Sequence, residues 1–309
     1  MAAPARKARD ATVAGVAISN PDKLFYPEAR LSKLDVARYY AAVGPRMVPH
    51  LRDRPLSLLR CPDGWSKQCF FQKHADSSVG AAVARLQAPE AEGTATYLSA
   101  SSVSAIVALL QWGVVELHPW GARRRALHCP DRLILDFDPG PDVTWKDLVA
   151  LVRASRELLE EIGLTGFLKT TGGKGLHVVV PIRPTLDWAA ARGFTKAIAD
   201  RLARIAPDRI VTSAASKSAR ADKIFIDYLR NTQGATAVAP YSLRARENAP
   251  VATPIDWEEL GTDVRFDHFK LKNVTGRLAR MKLDPWAEMA KSRPFVSAAM
   301  QKSVGYRVD

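Results

Sequence analysis

Residues 132–140 read Arg-Leu-Ile-Leu-Asp-Phe-Asp-Pro-Gly, and this stretch decides the fold. Leu133, Ile134 and Leu135 form an apolar run too short for a helix, the pattern of a strand buried on both faces. Asp136 and Asp138 follow, and Pro139-Gly140 closes the strand with a turn. Beyond it, residues 144–147 open a helix in which Leu148, Leu151, Val152, Leu158, Leu159 and Ile162 recur at helical spacing, with Gly163 as its stop. Residues 167–170 read as a strand, 171–175 as a tight glycine loop and 176–182 as another strand. A helix follows over 187–205, then strands near Ile210 and over 223–228, and a further short strand over 236–239.

Upstream the same reading continues. Ser32 and Asp35 frame a capping box that starts a helix toward Met47, with Pro49 ending it. Strands are expected over 56–60, 69–73 and 114–118, with a helix over 102–112 between the last two. The tail from Trp257 onward reads as helical or irregular, and basic. The sum is an α/β (α+β) protein: a core built on a mixed or antiparallel sheet flanked by helices, with an N-terminal αβ layer closing over it. Residues 1–17 read as a flexible basic leader, 18–290 as one unit of two packed layers, and 291–309 as a C-terminal tail.

The chain has 309 residues, 47% of them hydrophobic and 25% charged, enough to bury a core. Its 45 Lys and Arg outnumber 32 Asp and Glu, a net charge of +13 that attracts polyanions. No stretch approaches the roughly 20 apolar residues that span a bilayer. The first ten residues lack the apolar core of a secretory signal, so a cytoplasmic, nucleoid-associated location is expected, without a membrane partner. Cys61, Cys69 and Cys129 cannot pair evenly, no disulfide scaffold is expected, and buried thiols beside a loop are the reading. The spacing of Cys61 and Cys69 is also too wide for the usual close zinc pair.

Asp136 and Asp138, two residues apart, point to one side of their strand, about 7 Å from each other. Like charges so placed need an offset, and a hard divalent cation bound by carboxylate oxygen supplies it. Asp227 ends another apolar strand, Ile-Phe-Ile-Asp-Tyr at 224–228. Three such carboxylates on adjacent strands suit a two-metal phosphoryl-transfer site. A calcium-loop register is poor, because Pro141 stands where the turn requires glycine. A metal-dependent phosphatase with an aspartate nucleophile is the enzymatic alternative, although Gly140 stands where such enzymes place Thr or Val. A non-catalytic DNA-end-binding module is the other. The loop Thr-Gly-Gly-Lys-Gly-Leu-His at 171–177 is not a Walker A motif, since a strand rather than a helix follows it. Its glycines still let backbone N–H groups approach an anion, with Lys174 for charge and His177 alongside. Between residues 201 and 246, nine Lys and Arg surround Asp227 against three acids, the balance of a phosphate-handling site.

Taken in order, Asp-Lys-Leu-Phe-Tyr-Pro (22–27), Phe-Phe-Gln-Lys-His (70–74), Glu-Leu-His-Pro-Trp (116–120), the acid-bearing strand, the glycine loop, Phe-Ile-Asp-Tyr-Leu-Arg-Asn (225–231) and Ala-Pro-Tyr-Ser-Leu-Arg-Ala-Arg (239–246) resemble the polymerase/primase domain of bacterial DNA ligase D, in the archaeo-eukaryotic primase superfamily. The resemblance covers roughly residues 18–286. It implies a primase-like fold and a nucleotidyltransferase that adds NTPs or dNTPs to primer 3′ ends. Such an enzyme fills gaps and extends double-strand-break ends in non-homologous end joining, with two divalent ions, Mn²⁺ or Mg²⁺. Implied partners are DNA with gaps or ends bearing a 5′-phosphate, Ku and ligase domains. Asp136, Asp138 and Asp227 match the family's metal-binding acids and His118 an active-site histidine. Thr171, Gly173, Lys174, His177, Arg220, Arg244 and Arg246 fall on or near triphosphate-handling positions. Lys23 and Lys33 match lysines that hold the 5′-phosphate, and Phe70 and Phe71 match aromatics that stack on a base. Adjacent strand residues face opposite ways, so only one of the two phenylalanines is expected to stack fully. Some relatives carry Ser where Thr171 stands, which keeps the hydroxyl, and others carry a basic residue where Leu59 aligns.

Overall fold

The computed structural model describes residues 11–212, 220–261 and 264–306. The N-terminal layer starts with two small hairpins, β1 (Ala11–Val13) with β2 (Val16–Ile18) and β3 (Leu24–Tyr26) with β4 (Leu31–Ser32). Residues 1–10 of the expected leader lie outside the described residues, whereas 11–17 belong to the first hairpin. Ser32 accepts from the Asp35 N–H, and the Asp35 carboxylate accepts from the Ser32 N–H, so the capping box forms and starts α1 (Lys33–Leu51). The helix passes through Pro45 and Pro49 instead of ending at the second. Each proline removes one backbone hydrogen bond, but Met47, Val48 and Leu51 are buried, and that packing holds the last turn.

β5 (Leu56–Arg60) is the hub of the N-terminal sheet. It pairs antiparallel with β6 (Phe70–Gln72), β8 (Thr94–Ser99) and β9 (Val114–Pro119), while β7 (Ala84–Pro89) pairs with β8. α2 (Val103–Gln111) packs on α1 so closely that a Cβ on Gly44 would lie 2.9 Å from the methyls of Val103. Cys61 and Cys69 form a disulfide, which corrects the expectation of free thiols. Arg60 and Phe70 are register partners, so the next residue outward on each strand faces the other, with 4.4 Å between the two Cα atoms. Cys129 is free.

The second layer is a six-stranded sheet in the order β13-β14-β10-β12-β11-β15. Its strands are β10 (Arg132–Pro139), β11 (Phe167–Thr170), β12 (Leu176–Pro181), β13 (Ile210–Val211), β14 (Ile224–Asp227) and β15 (Pro254–Ile255), antiparallel except for the β13–β14 pair. α3 (Trp145–Glu161) and α4 (Trp188–Ala203) bury their apolar faces on it, and Gly163 ends α3 with φ +78°. No strand forms over 236–239. That segment makes a single bridge, Thr236 to Trp120, and Ala239 donates to Leu117 O, because it crosses from one layer to the other. α5 (Leu271–Arg280) and α6 (Ala298–Ser303) close the chain. Val296 and Val304 join an apolar core that also holds Phe25, Leu109, Leu135 and Val178, so one core spans both layers and the docked C-terminal segment. Among the described residues no helix is long and apolar enough to cross a membrane.

Candidate active site

β10 lies between β12 and β14, and the register sets the site. Asp136 stands opposite His177 on one side and Asp227 on the other. Cross-strand partners share a face, and Asp138, two residues on, shares it too. The three predicted acids and His177 therefore converge on one patch. Asp136, Asp138 and His177 floor a cavity of about 230 Å³ with His118, Thr171, Lys174 and Arg230 among its walls, and Asp227 lies beside it, next to Arg230. Beside it, Asp138, Lys174, Arg220 and Arg246 border a second hollow of about 420 Å³.

Asp136 is buried, with one carboxylate oxygen 3.2 Å from His177 Nε2 and the other accepting from Arg230 Nε at 3.0 Å. Arg230 Nε also lies 3.3 Å from Asp227 Oδ2. Burial alone raises a carboxyl, but His177 and Arg230 hold Asp136 well below the usual carboxylate range. Partial burial and then the Asp136 charge push Asp138 up to about 6. Burial also raises Asp227, with Arg230 opposing. His177 is lowered by burial to about 4, with the Asp136 charge opposing. Among the described residues no group of three or more His, Cys, Asp or Glu is arranged, as the side chains stand, to hold a metal ion. The Arg230 guanidinium sits between Asp136 and Asp227 and supplies the positive charge there.

Arg230 was not among the predicted site residues. It rides on a 3-10 turn (Leu229–Asn231) fixed by the Asn231 amide, which exchanges two hydrogen bonds with the backbone of Ile134. Glu116 also escaped the sequence reading. It accepts from His118 Nε2 at 2.9 Å, from Arg244 Nε at 2.9 Å and from the Ala245 N–H at 2.7 Å. Burial works against its charge, yet these partners hold it at about 2. One buried carboxylate thus orients both the predicted histidine and a predicted arginine. The signal was in view, since Glu116 lies two residues before His118 on β9 and so faces the same way.

The glycine loop is braced from within. Thr171 Oγ1 donates to Gly175 O and accepts from the Gly173 N–H, and Arg244 Nη1 donates to Thr171 O at 2.7 Å. Gly172 has φ +65°, and a Cβ there would come within 2.8 Å of the Arg244 side chain. Arg246 lies over Gly173, so Lys174, Arg244 and Arg246 edge the loop with positive charge. Arg220 stacks 4.5 Å from the Phe225 ring centroid, and among the described residues its buried Nε has no partner. Gly140 makes room for that segment, because a Cβ would fall 2.1 Å from Arg220 O and 2.2 Å from Ala221 O. Gly140→Ala is therefore expected to cost about 2 kcal/mol, as over-packing does, and to displace Arg220. Urea unfolding would read the first effect.

The predicted DNA contacts lie in the N-terminal layer. Phe70 and Phe71 are both exposed, at 41% and 62%, instead of one facing the core. β6 is an edge strand with no layer packed over either phenylalanine, and each ring finds a polar neighbour instead. The Arg60 guanidinium lies 5.2 Å from Phe70, and His118 meets Phe71 edge-on at 5.6 Å. Lys23 and Lys33 are held side by side by a hydrogen bond from Lys33 N to Lys23 O. Lys23 Nζ pairs with Asp63 and donates to Pro62 O. Lys33 is buried and donates to Gln111 O, and burial, then Lys23, lower it to about 8.

Comparison with known proteins places this geometry. A family profile described as the LigD primase-polymerase domain matches residues 32–286. The multifunctional non-homologous end joining protein LigD of Pseudomonas aeruginosa is 40% identical over 296 residues, covering 96% of this chain and 35% of that protein. The multifunctional non-homologous end joining DNA repair protein LigD of Mycobacterium tuberculosis is 34% identical over 273 residues, 86% of this chain and 36% of that protein. The chain thus spans about a third of the length of these relatives. The solved polymerase domain of Mycobacterium tuberculosis ligase D in complex with DNA superposes with a TM-score of 0.81 at 33% identity, covering 86% of this chain and 94% of that one. The fold is accordingly primase-like, and the chain belongs to the LigD primase-polymerase domain family.

Proposed function

We propose that this chain is a DNA-dependent nucleotidyltransferase that adds NTPs or dNTPs to primer 3′ ends, filling gaps and extending broken ends in double-strand-break repair by non-homologous end joining. The observation that carries the proposal is the register that lines up Asp227, Asp136 and His177 on neighbouring strands, with Asp138 beside them and the glycine loop alongside. We read residues 18–290 as the polymerase unit and 291–309 as a tail whose described part docks on its core through Val296 and Val304. Ku and the ligase domains are its partners, and the nucleoid-associated cytoplasm its site of action.

The donor set fits divalent ions. Three carboxylates offer hard oxygen ligands, and a cation among them would offset the Asp136 charge that, after burial, raises Asp138. Asp136, Asp138 and Asp227 would hold two Mn²⁺ or Mg²⁺, and ions bound there would supply the positive charge that lowers the pKa of a primer hydroxyl and stabilises a leaving pyrophosphate. Arg230 balances Asp136 and Asp227 between turnovers. Lys174, Arg244 and Arg246, with the Gly173 N–H, receive the triphosphate, His177 and Arg220 flank it, and Thr171 keeps the loop in shape. Glu116 aims His118 and Arg244 into the cavity. Phe70 and Phe71 offer a stacking platform for template or incoming base, where each base stacked contributes about 1–3 kcal/mol.

Incubation with Mn²⁺, a labelled primer–template and single NTPs tests the reading. Extension by one nucleotide with release of pyrophosphate supports it. Release of inorganic phosphate without a primer would favour the phosphatase, and DNA binding without turnover the silent end binder. Lys23 and Lys33 are assigned to the 5′-phosphate at the far side of a gap. Lys23→Ala is expected to weaken binding to 5′-phosphorylated gapped DNA by roughly tenfold and to leave binding to the unphosphorylated gap unchanged. Equal losses on both DNAs would remove that assignment.

A further inference from the structure

A third cavity, of about 290 Å³, opens at the other end of β10. Arg132 starts that strand and pairs with Pro181, whereas Asp136 pairs with His177. At about 3.4 Å per residue, the cavity lies some 13 Å from the carboxylates along the strand. The polymerase reading makes no use of it.

Its chemistry is lopsided. Arg46, Arg123, Arg132 and Arg293 line it against two aspartates, Asp131 and Asp284. Both acids are already engaged. Asp131 accepts from the buried Arg54 at 2.7 Å and from Arg123 at 3.0 Å. Asp284 lies 3.4 Å from Arg46 and accepts from the Tyr241 hydroxyl. Arg123 is spent as well, since its two terminal nitrogens donate to Arg52 O and Pro49 O. That leaves Arg132, which is 7% exposed. Its buried Nε forms an ion pair with Asp131 Oδ1 at 3.5 Å, and among the described residues its two terminal nitrogens make no hydrogen bond or ion pair. Arg293 stands exposed at the rim without an ion pair among the described residues. A buried guanidinium with idle donors is costly unless something meets it.

The rest of the wall is apolar. Trp286 and Met289 are buried, Pro49 and Pro181 complete the sides, and His50 stacks edge-on against Trp286 at 5.3 Å. Surplus guanidinium at one end and an aromatic and aliphatic wall at the other suit an oxyanion carried on a small apolar body. We infer that this pocket is a second ligand site, separate from the catalytic patch, for a small organic oxyanion in which Arg132 and Arg293 take the phosphate or carboxylate and the Trp286–Met289 wall takes the apolar part.

Calorimetric titration of the whole chain with phenyl phosphate, benzoate and inorganic phosphate tests this. Saturable binding of phenyl phosphate or benzoate, tighter than inorganic phosphate, is expected, and the tighter of the two identifies the anionic group. Arg293→Gln, at the exposed rim, should weaken it by roughly tenfold, and Arg132→Gln should abolish it. Arg246→Ala, at the catalytic loop, should leave it unchanged. If Arg132→Gln does not fold, Arg293→Gln and Arg246→Ala still decide. The inference is overturned by absence of saturable binding at millimolar ligand, by equal affinity in Arg293→Gln, by loss in Arg246→Ala, or by inorganic phosphate binding as tightly as phenyl phosphate.

Discussion

Asp138→Ala is expected to lower single-turnover primer extension by about 10³-fold while leaving the fold intact. Asp138 stands exposed at the cavity, makes no hydrogen bond among the described residues, and is raised by partial burial and by the Asp136 charge, so its own charge is a burden in the folded chain. Removing it relieves that repulsion, and the melting temperature at pH 7 should hold or rise. The sign follows from linkage: a carboxyl raised from 3.8 to about 6 binds its proton more tightly in the folded chain. Its effect is absent below about pH 4, and it subtracts stability as pH rises through 6. For this partly exposed side chain that amounts to about 1 kcal/mol after solvent screening. Asp136→Ala should be equally inactive but less stable, by about 3 kcal/mol, because Arg230 and His177 lose a buried partner. A Mn²⁺ titration followed by melting separates ligand loss from misfolding. Mn²⁺ should stabilise the parent chain and not Asp138→Ala. Near-parental extension by Asp138→Ala would sink the proposed role of the carboxylates.

The strands and helices of the second layer were legible because their signals are local. A continuous apolar run marks β10, 3.6-residue periodicity marks α3, and Gly163 marks its end. The N-terminal hairpins and the β7–β8 ribbon gave no such signal. β7 is half exposed, and Ala84, Arg85 and Gln87 mix charge and small residues so that no clean alternation survives. Pro49 misled for the opposite reason, since a strong local breaker yielded to burial of Met47 and Leu51. At the site, Asp136, Asp138 and Asp227 could be read from strand ends, and the structure brings them together. Glu116 shares a face of β9 with His118, and that spacing was the one signal for it. Its contact with Arg244, 128 residues away in sequence, is created by the meeting of the two layers, and no spacing rule reports it. Arg230 gave no signal, because its work is done on other side chains. The Cys61–Cys69 bond was hidden likewise, in the β5–β6 register rather than in cysteine spacing.

Lys169 supplies the second large effect, on stability. It lies on β11 opposite His177, is 2% exposed, and its Nζ has no hydrogen-bond partner among the described residues. Burial, then the nearby Arg244, lower it from 10.5 to about 7, although Asp136 pulls the other way. A lysine so depressed carries at neutral pH a folding penalty of about 4 kcal/mol. Lys169→Met keeps the length of the side chain and removes the charge, so a gain of about 2–3 kcal/mol at pH 7 is expected after imperfect packing is allowed for. The unfolded chain binds the extra proton between pH 7 and 10.5, so the parent regains stability as pH rises through that window. The advantage of Lys169→Met should therefore be full below pH 7 and gone near pH 10.5, as urea unfolding at several pH values would read. Function should move the other way. A triphosphate in the cavity brings negative charge beside Asp136 and draws the proton back onto Lys169, so the methionine variant should show a raised KM for NTP with kcat little changed. A variant no more stable than the parent at pH 7 would mean that Lys169 is neutral or solvated in the folded chain, and that the positive charge behind Asp136 comes from Arg230 and Arg244 alone.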